Sequence, residues 1–409
     1  TYYTQFESKQ DLLTVSGNPY NDLFQQNFKR IENQTEWKIN SSLNTIAGFG
    51  WIKEQVNSSR YDNIDSAKTN TIKYAFNQWE WNNGEKWVAN AGFRYDQNQN
   101  FASAFSPKLS LMYKANTHLR FKLSIGRGFK APDFRQLYLN FTNSAAGNYS
   151  VFGAVEAQKV INQLNQLGQI GNLFSNYYQL KKLEPEYATG IHFSAEWEPN
   201  QNNEIQFQIF RNDINNLIDV QQVGNYISGS QIYSYLNIKN AFTQGFEIEA
   251  KQKYRNGFSS SLGYQFLLTG DKDQIASINN GTVYTKNTNG TSRLLRLSDY
   301  VGLPNTSKHR FQVKINYENT KGFYANIRAI YRSKWAVANT NGNEVYDNGD
   351  QFGSGYVTLN YSMGKPLKKG FAVQAGIDNI NNYMDGLNLP NLAGRTFYMT
   401  LKYSTQHKK

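Results

Sequence analysis

Along most of this chain apolar and polar residues alternate one by one. In "WVANAGFRYD", Trp87, Ala89, Ala91, Phe93 and Tyr95 share one face, and Val88, Asn90, Gly92, Arg94 and Asp96 share the other. In "IHFSAEW", Ile191, Phe193, Ala195 and Trp197 oppose His192, Ser194 and Glu196. The same two-residue period runs through Phe121, Leu123 and Ile125, through Phe246, Ile248 and Ala250, and through Phe311, Val313, Ile315 and Tyr317. It returns at Phe397, Met399, Leu401 and Tyr403. A period of two is the mark of a strand with unlike faces. The pattern predicts about 16 strands, several reaching the roughly 9–11 tilted residues that cross a bilayer. Short polar turns fall at 82–85, 116–117, 199–203, 255–257, 319–322 and 364–370. Between them lie longer irregular segments at 10–22, 58–67, 128–184, 270–305, 336–354 and 381–394.

Short and long connections in alternation describe an all-β, antiparallel up-and-down transmembrane β-barrel with short periplasmic turns and long extracellular loops. Lipid cannot satisfy a free sheet edge, so a spanning sheet must close. The alternation puts Phe93, Trp197, Phe246, Val313 and Leu401 toward lipid, with Arg94, Glu196, Glu247 and Lys402 inward. Trp81, Trp87 and Trp197 flank short turns, and Trp335 ends a strand on the long-loop side, as in the aromatic girdles of such barrels. Counting strands onward from Arg127, the last one descends and leaves the C-terminus in the periplasm. A soluble β-propeller would need a repeat of about 40–50 residues, which the sequence lacks.

Composition sharpens this picture. Of 409 residues, 39% are hydrophobic, yet 28 are Tyr and 26 are Phe, which suits strands with one wet face and excludes a disordered chain. There is no cysteine, so disulfides, thiolate catalysis and Cys-ligated zinc are excluded. The formal charge is +12, but Lys and Arg are spread singly. That reads first as a plain solvated surface, next as attraction for anionic ligands or lipopolysaccharide phosphate, and last as nucleic-acid binding. The first residues, "TYYTQFESKQ", lack a signal-peptide core and start inside an alternating pattern, so 1–409 reads as a single barrel domain cut from something longer.

Candidate chemistry concentrates in the 128–184 segment. "VEAQKVINQLNQLGQI" places Val160, Ile161, Leu164 and Leu167 at helical spacing, predicting a short amphipathic helix. Tyr149, Phe152, Tyr177 and Tyr178 either line an aromatic ligand cup or pack the loop's own small core. Loops this long are uncommon unless functional. Gly126 and Gly128 are expected to relieve crowding where their strand leaves the sheet, and Pro132 to end its pairing. His118, His192, His309 and His407 show no metal-ligand spacing, and His192 is expected to face the lumen. "EVYDNGDQFGSG" carries acidic oxygens without a calcium-loop spacing and reads as a solvated loop. No metal and no cofactor is expected.

An ordered set of segments resembles the TonB-dependent outer-membrane receptors. "GRGFKAPDFRQLY" is similar to that family's Gly-Arg-Gly-Phe-Arg-Ala-Pro segment, and "LEPEYATGIHFSAEW" to the strand start that follows it. "NIKNAFTQGFEIEA", "LPNTSKHRFQVKINY" and "GIDNINNYMDG" with "PNLAGRTFYMTLKY" resemble later segments in the family's order. Ile380 and Asn381 stand where the family has Leu-Phe, and Leu392-Ala393-Gly394 where it has Pro-Gly. The resemblance implies a 22-stranded barrel filled by an N-terminal plug. This chain would then be its C-terminal two-thirds, without the plug and about six leading strands. It also implies a partner, the TonB–ExbB–ExbD complex, reached through the plug. Some haem receptors of the family carry a His between two such boxes, and 130–182 has none.

The expected function is therefore an outer-membrane active transporter, in a Gram-negative bacterium, that binds a scarce extracellular chelate. A ferric siderophore comes first, then cobalamin or haem. A passive porin-like channel or an adhesin barrel is the alternative. An enzyme is not expected, because no His is placed for a Ser/His or Asp/His constellation aimed outward.

Overall fold

The computed structural model describes residues 1–13, 19–61, 67–143, 149–286 and 290–404. Sixteen antiparallel strands form one meandering wall. They are β1 Tyr2–Leu13, β2 Pro19–Lys38, β3 Leu43–Ser58, β4 Lys68–Asn82, β5 Trp87–Asn98, β6 Ala104–Lys114 and β7 Leu119–Lys130. After a long loop follow β8 Glu186–Asn200, β9 Asn203–Tyr226, β10 Gln231–Lys253, β11 Phe258–Asp271 and β12 His309–Glu318. The last four are β13 Tyr324–Arg332, β14 Tyr356–Pro366, β15 Phe371–Asp378 and β16 Thr396–Tyr403. Each wall strand pairs with the next in sequence, and β7 and β8 pair directly across the loop between them. Three short strands of that loop bring the sheet to 19.

The two faces are chemically distinct, as alternation requires. Phe49, Phe93, Ile191, Trp197, Ile209, Val313 and Leu401 are exposed large apolar side chains on one face. The other face carries paired charge. Arg94 grips Asp96 through Nε and Nη2 at 2.6–3.0 Å, and Arg120 and Lys122 converge on Glu196. Gln265 donates to Glu247 at 2.6 Å. A carboxylate such as Asp96, 3% exposed, tolerates that position because a guanidinium neutralises it. Near the short turns Trp37, Trp81, Trp87 and Trp197 stand exposed on the apolar face, forming one aromatic girdle.

Four expectations need correction. The connection at 10–22 is not irregular at its ends: β1 continues to Leu13, which pairs with Pro19. Residues 14–18 of that segment lie outside the described residues. Gly126 and Gly128 relieve no crowding, because β7 stays paired with β8 through Lys130–Glu186. A Cβ on Gly128 would meet nothing within 4 Å. Trp335 is no girdle residue. It is 1% exposed, covered by the Arg332 guanidinium at 4.6 Å and met edge-on by the Tyr356 ring at 5.8 Å. Asp347, in the acidic loop, is buried rather than solvated, at 1% exposure. Its carboxylate accepts from Asn341, Asn343 and the Gly349 N–H at 2.6–3.0 Å, so donors already occupy it.

Candidate functional site

The strands β9 and β10, 24 and 23 residues long, are far longer than a bilayer needs. At ~3.3 Å per residue each spans roughly 80 Å. Beyond a bulge at Asn216, which adopts a left-handed φ of 58°, they continue as a projecting hairpin closed at 227–230. Sequence reading missed this hairpin. The signal was present in "VGNYISGSQIYSY", where alternation continues on both sides of a tight Gly229 turn with φ of 87°.

The 131–185 loop folds onto that hairpin. Asp133 caps helix α1 (Phe134–Tyr138) with a capping box: its Oδ1 accepts from Gln136 N at 2.7 Å, and Gln136 Oε1 accepts from Asp133 N at 3.0 Å. Strand Asn140–Asn143 pairs with Tyr149–Phe152, and residues 150–152 then pair in parallel with 232–234 of β10. Strand Ile170–Leu173 pairs with β9 near Gly224. The predicted helix is α2, Ala157–Gln166. Its Ala157 and Ile161, both 0% exposed, pack with Phe152, Val223, Ile232 and Leu236. Val160 and Leu164 join this core, whereas Leu167 is 70% exposed and stands outside it. A second core below joins Leu137, Leu139 and Leu183 to Ile218 and Tyr235.

Segments that carry the family resemblance lie at the base of this platform. Leu183 and Pro185 are fully buried. Glu186 accepts from Lys130 at 3.3 Å and from the Ile218 N–H at 3.0 Å. Asn237 is the central staple. Its Nδ2 donates to the carbonyls of Glu184 and Asn216 at 2.9 and 2.7 Å, and its Oδ1 accepts from Glu184 N at 2.8 Å. Each polar group of the amide is used, so one side chain ties the loop's exit to the hairpin's bulge. At the far end of the chain Asn379 makes a similar staple to the carbonyls of Tyr383 and Ala393.

The four candidate ligand residues fall into three positions. Phe152 is 2% exposed and lies inside the platform core. Tyr177 flanks that core and donates to Asn162 Oδ1 at 2.6 Å. Tyr178 stands edge-on to Tyr177 at 5.3 Å and is 76% exposed. Tyr149 is half-buried and lies edge-on to Tyr233 at 6.3 Å. Beside it, Ser150 bonds the Tyr226 hydroxyl at 2.8 Å. Sequence reading overlooked Tyr226 and Tyr233, because they belong to the hairpin.

Beside the hairpin a second unit joins the 272–308 and 333–355 loops, with Lys272 paired to Asp213 of β9 at 2.7 Å. Ile278, Leu295 and Val345 form its core. Tyr300 accepts from the Asp271 N–H at 2.8 Å and donates to Gln274 Oε1 at 3.3 Å. Its partial burial pushes its phenol up to about 12. The histidines hold local bonds: His118 to the Glu198 carbonyl, His192 between Asn212 and Gln208 on the polar face, and His309 to the Tyr264 hydroxyl. His407 lies outside the described residues. No group of three metal-ligating side chains occurs among the described residues.

A meandering wall with one apolar and one charged face, crowned at its long-loop end by built platforms, is the architecture of a membrane β-barrel. The β-barrel model of the TonB-dependent receptor-like family matches residues 1–380, and the chain belongs to that family. Over 129 residues it is 28% identical to the vitamin B12 transporter BtuB of Vibrio cholerae serotype O1, a stretch covering 31% of this chain and 20% of that protein. A variant of the ferric enterobactin receptor PfeA of Pseudomonas aeruginosa, solved with enterobactin, superposes with a TM-score of 0.67 at 16% identity. That match covers 98% of this chain and 58% of the receptor. The copper transporter OprC gives a TM-score of 0.65 at 13% identity, covering 98% of this chain and 61% of that one. The chain thus spans a fifth of the curated relative and about three-fifths of the receptor structures. At these identities the structural likeness speaks to fold alone.

Proposed function

We propose that this chain, as one domain over 1–409, is the ligand-capturing part of an outer-membrane active transporter. It binds a scarce chelate at the cell surface, a ferric siderophore first and cobalamin or haem next. The TonB–ExbB–ExbD complex drives import through a plug domain. The long-loop end faces outward and the C-terminus faces the periplasm. Lipid and lipopolysaccharide surround the apolar face, and nucleic acid is no partner. The observation that carries this reading is the platform locked onto the β9–β10 hairpin, which holds Tyr149, Tyr177 and Tyr178 at the rim while Phe152 anchors them from beneath. A porin needs no such built structure. Neighbours of like fold bind siderophore or carry copper, as their names state, which supports a metal-chelate class.

The test is equilibrium binding of ferric enterobactin, cobalamin and haemin to the intact receptor, before and after the double change Tyr177→Ala and Tyr178→Ala. One chelate should bind, and the double variant should lose about 1–3 kcal/mol if the pair forms an anchor. Binding of none of the three, together with passive solute flux through reconstituted receptor, would move the protein to the porin class.

A further inference from the structure

On the apolar face of β2, β3 and β4 three lysines stand together. Lys29 lies directly opposite Lys53, and Lys73 is diagonal to Lys53 through the Trp51–Lys73 pair. Side chains directly opposite are about 5 Å apart at Cβ and diagonal ones about 7–8 Å, and like charges so placed destabilise a sheet. No ion pair to any of the three occurs among the described residues. Lys29 only overlies the Tyr3 ring at 5.7 Å. Their same-face neighbours Asn27, Gln55, Thr71 and Gln97 are neutral and can all hydrogen-bond. Higher on the same face Arg211 is paired with Asp213 at 2.9 Å, whereas these three cations have no carboxylate partner among the described residues.

Height on the wall says what covers it. Lys29 is eight residues above Trp37, Lys73 eight above Trp81 and Lys53 ten above Leu43, each counted from the short-turn end. Counted inclusively these stretches are 9, 9 and 11 residues, the ~9–11 of a bilayer crossing, so the ammonium groups reach the outer headgroup layer. Beneath Lys29 and Lys53 on the same face are Ile31, Trp51 and Phe49, the last 67% exposed, and Trp51 lies directly opposite Lys73. Cations above exposed aromatic and aliphatic side chains match an anionic headgroup above acyl chains.

We propose that Lys29, Lys53 and Lys73 form a seat for a membrane amphiphile bearing phosphate groups, with its acyl chains lying against Ile31, Trp51 and Phe49. The proposal rests on the membrane-spanning reading given above. The test is native mass spectrometry of the intact receptor in detergent, with bis-phosphorylated lipid A as probe. Dephosphorylated lipid A, phosphatidylcholine and inorganic phosphate serve as controls. Retention of bis-phosphorylated lipid A should fall at least five-fold in the triple variant Lys29→Gln, Lys53→Gln, Lys73→Gln, while phosphatidylcholine binds both proteins alike. In lipid-free detergent the variant should unfold at the same temperature as the parent or higher, because like-charge repulsion is gone. The single variant Lys53→Gln serves if the triple variant fails to insert. Equal retention by parent and variant, equal retention of dephosphorylated lipid A, or displacement by equimolar inorganic phosphate would each overturn the seat. Cell fractionation keeps the two readings apart: a receptor absent from the outer membrane refutes the spanning reading itself.

Discussion

Replacing Ile161 by alanine should release the long-loop platform without disturbing the wall. Ile161 is 0% exposed and sits between α2 and the hairpin residues Val223, Ile232 and Leu236. Truncating a fully buried Ile costs about 2–5 kcal/mol, the lost transfer energy plus the cavity left behind. Because α2 lies in a loop, that cost falls on local opening rather than on the whole barrel. A loss of about 2–4 kcal/mol corresponds to roughly 30- to 1,000-fold faster amide exchange, since each 1.36 kcal/mol is tenfold. Hydrogen exchange followed by peptide mass spectrometry should therefore show residues 157–166 and 170–173 exchanging faster by that factor. Peptides of β4 to β6 should not change, and the receptor should keep its heat-modifiable band on gels. Ligand capture should weaken in step. Unchanged exchange in 157–166 would mean that α2 does not depend on this core, and the platform argument would fail with it.

At the second rim unit, Tyr300→Phe should leave the Asp271 N–H without a partner, costing about 1–3 kcal/mol of loop stability, read by limited proteolysis at 272–300. The same tyrosine sets an alkaline limit. The unfolded loop loses its phenolic proton near pH 10, whereas the folded one holds it to about 12. Stability from this group is thus full below pH 10 and declines as pH rises from 10 to 12, by at most about 3 kcal/mol. Tyr300→Phe should abolish that decline, and an unchanged alkaline profile in the variant would refute the assignment. Glycines on the wall should differ sharply. Gly128→Ala should be silent in an insertion assay, because its Cβ meets nothing within 4 Å. Gly245→Ala should impair assembly, because its Cβ would lie 1.9 Å from the Phe266 carbonyl oxygen.

The wall was legible because lipid and lumen impose opposite demands on successive residues. Phe93 beside Arg94 and Trp197 beside Glu196 carry that contrast in single steps of sequence. The α2 helix was legible for the same reason at a different period, although Leu167 fits the spacing and lies off the packed face. What stayed hidden depends on residues distant in the chain. Whether Phe152 faces ligand or core turns on Val223 and Ile232, some 70 to 80 positions away, and alternation within the loop does not report on them. Gly128 misled because a glycine pair before a proline suggests a strand leaving the sheet, while the Lys130–Glu186 bond and the ladder carry β7 two residues further. Trp335 misled because tryptophan near a loop suits a girdle as well as a core, and only Arg332 and Tyr356 around it separate the two.

Two kinds of solvent act on this chain, and they explain how it can share a fold with receptors only 13–17% identical to it. Within the bilayer, the outward face needs only to be apolar, and the ladder hydrogen bonds are made whatever the side chain. That requirement fixes polarity at alternate positions and leaves identity free, so the wall can match in shape while differing in sequence. Above the bilayer the loops meet water and must bury apolar surface to hold any shape at all. The cores around Ile161 and around Leu295 do this, each closed by residues from separate loops or strands. The joint between the two regimes has to be specific, because a hairpin of free length would swing. Asn237 provides it, with its three bonds across Glu184 and Asn216 at the level where the wall ends and the platform begins. A rim built in this way can change its aromatic contacts, such as Tyr178 or Tyr149, without altering the ladder that holds the barrel wall together.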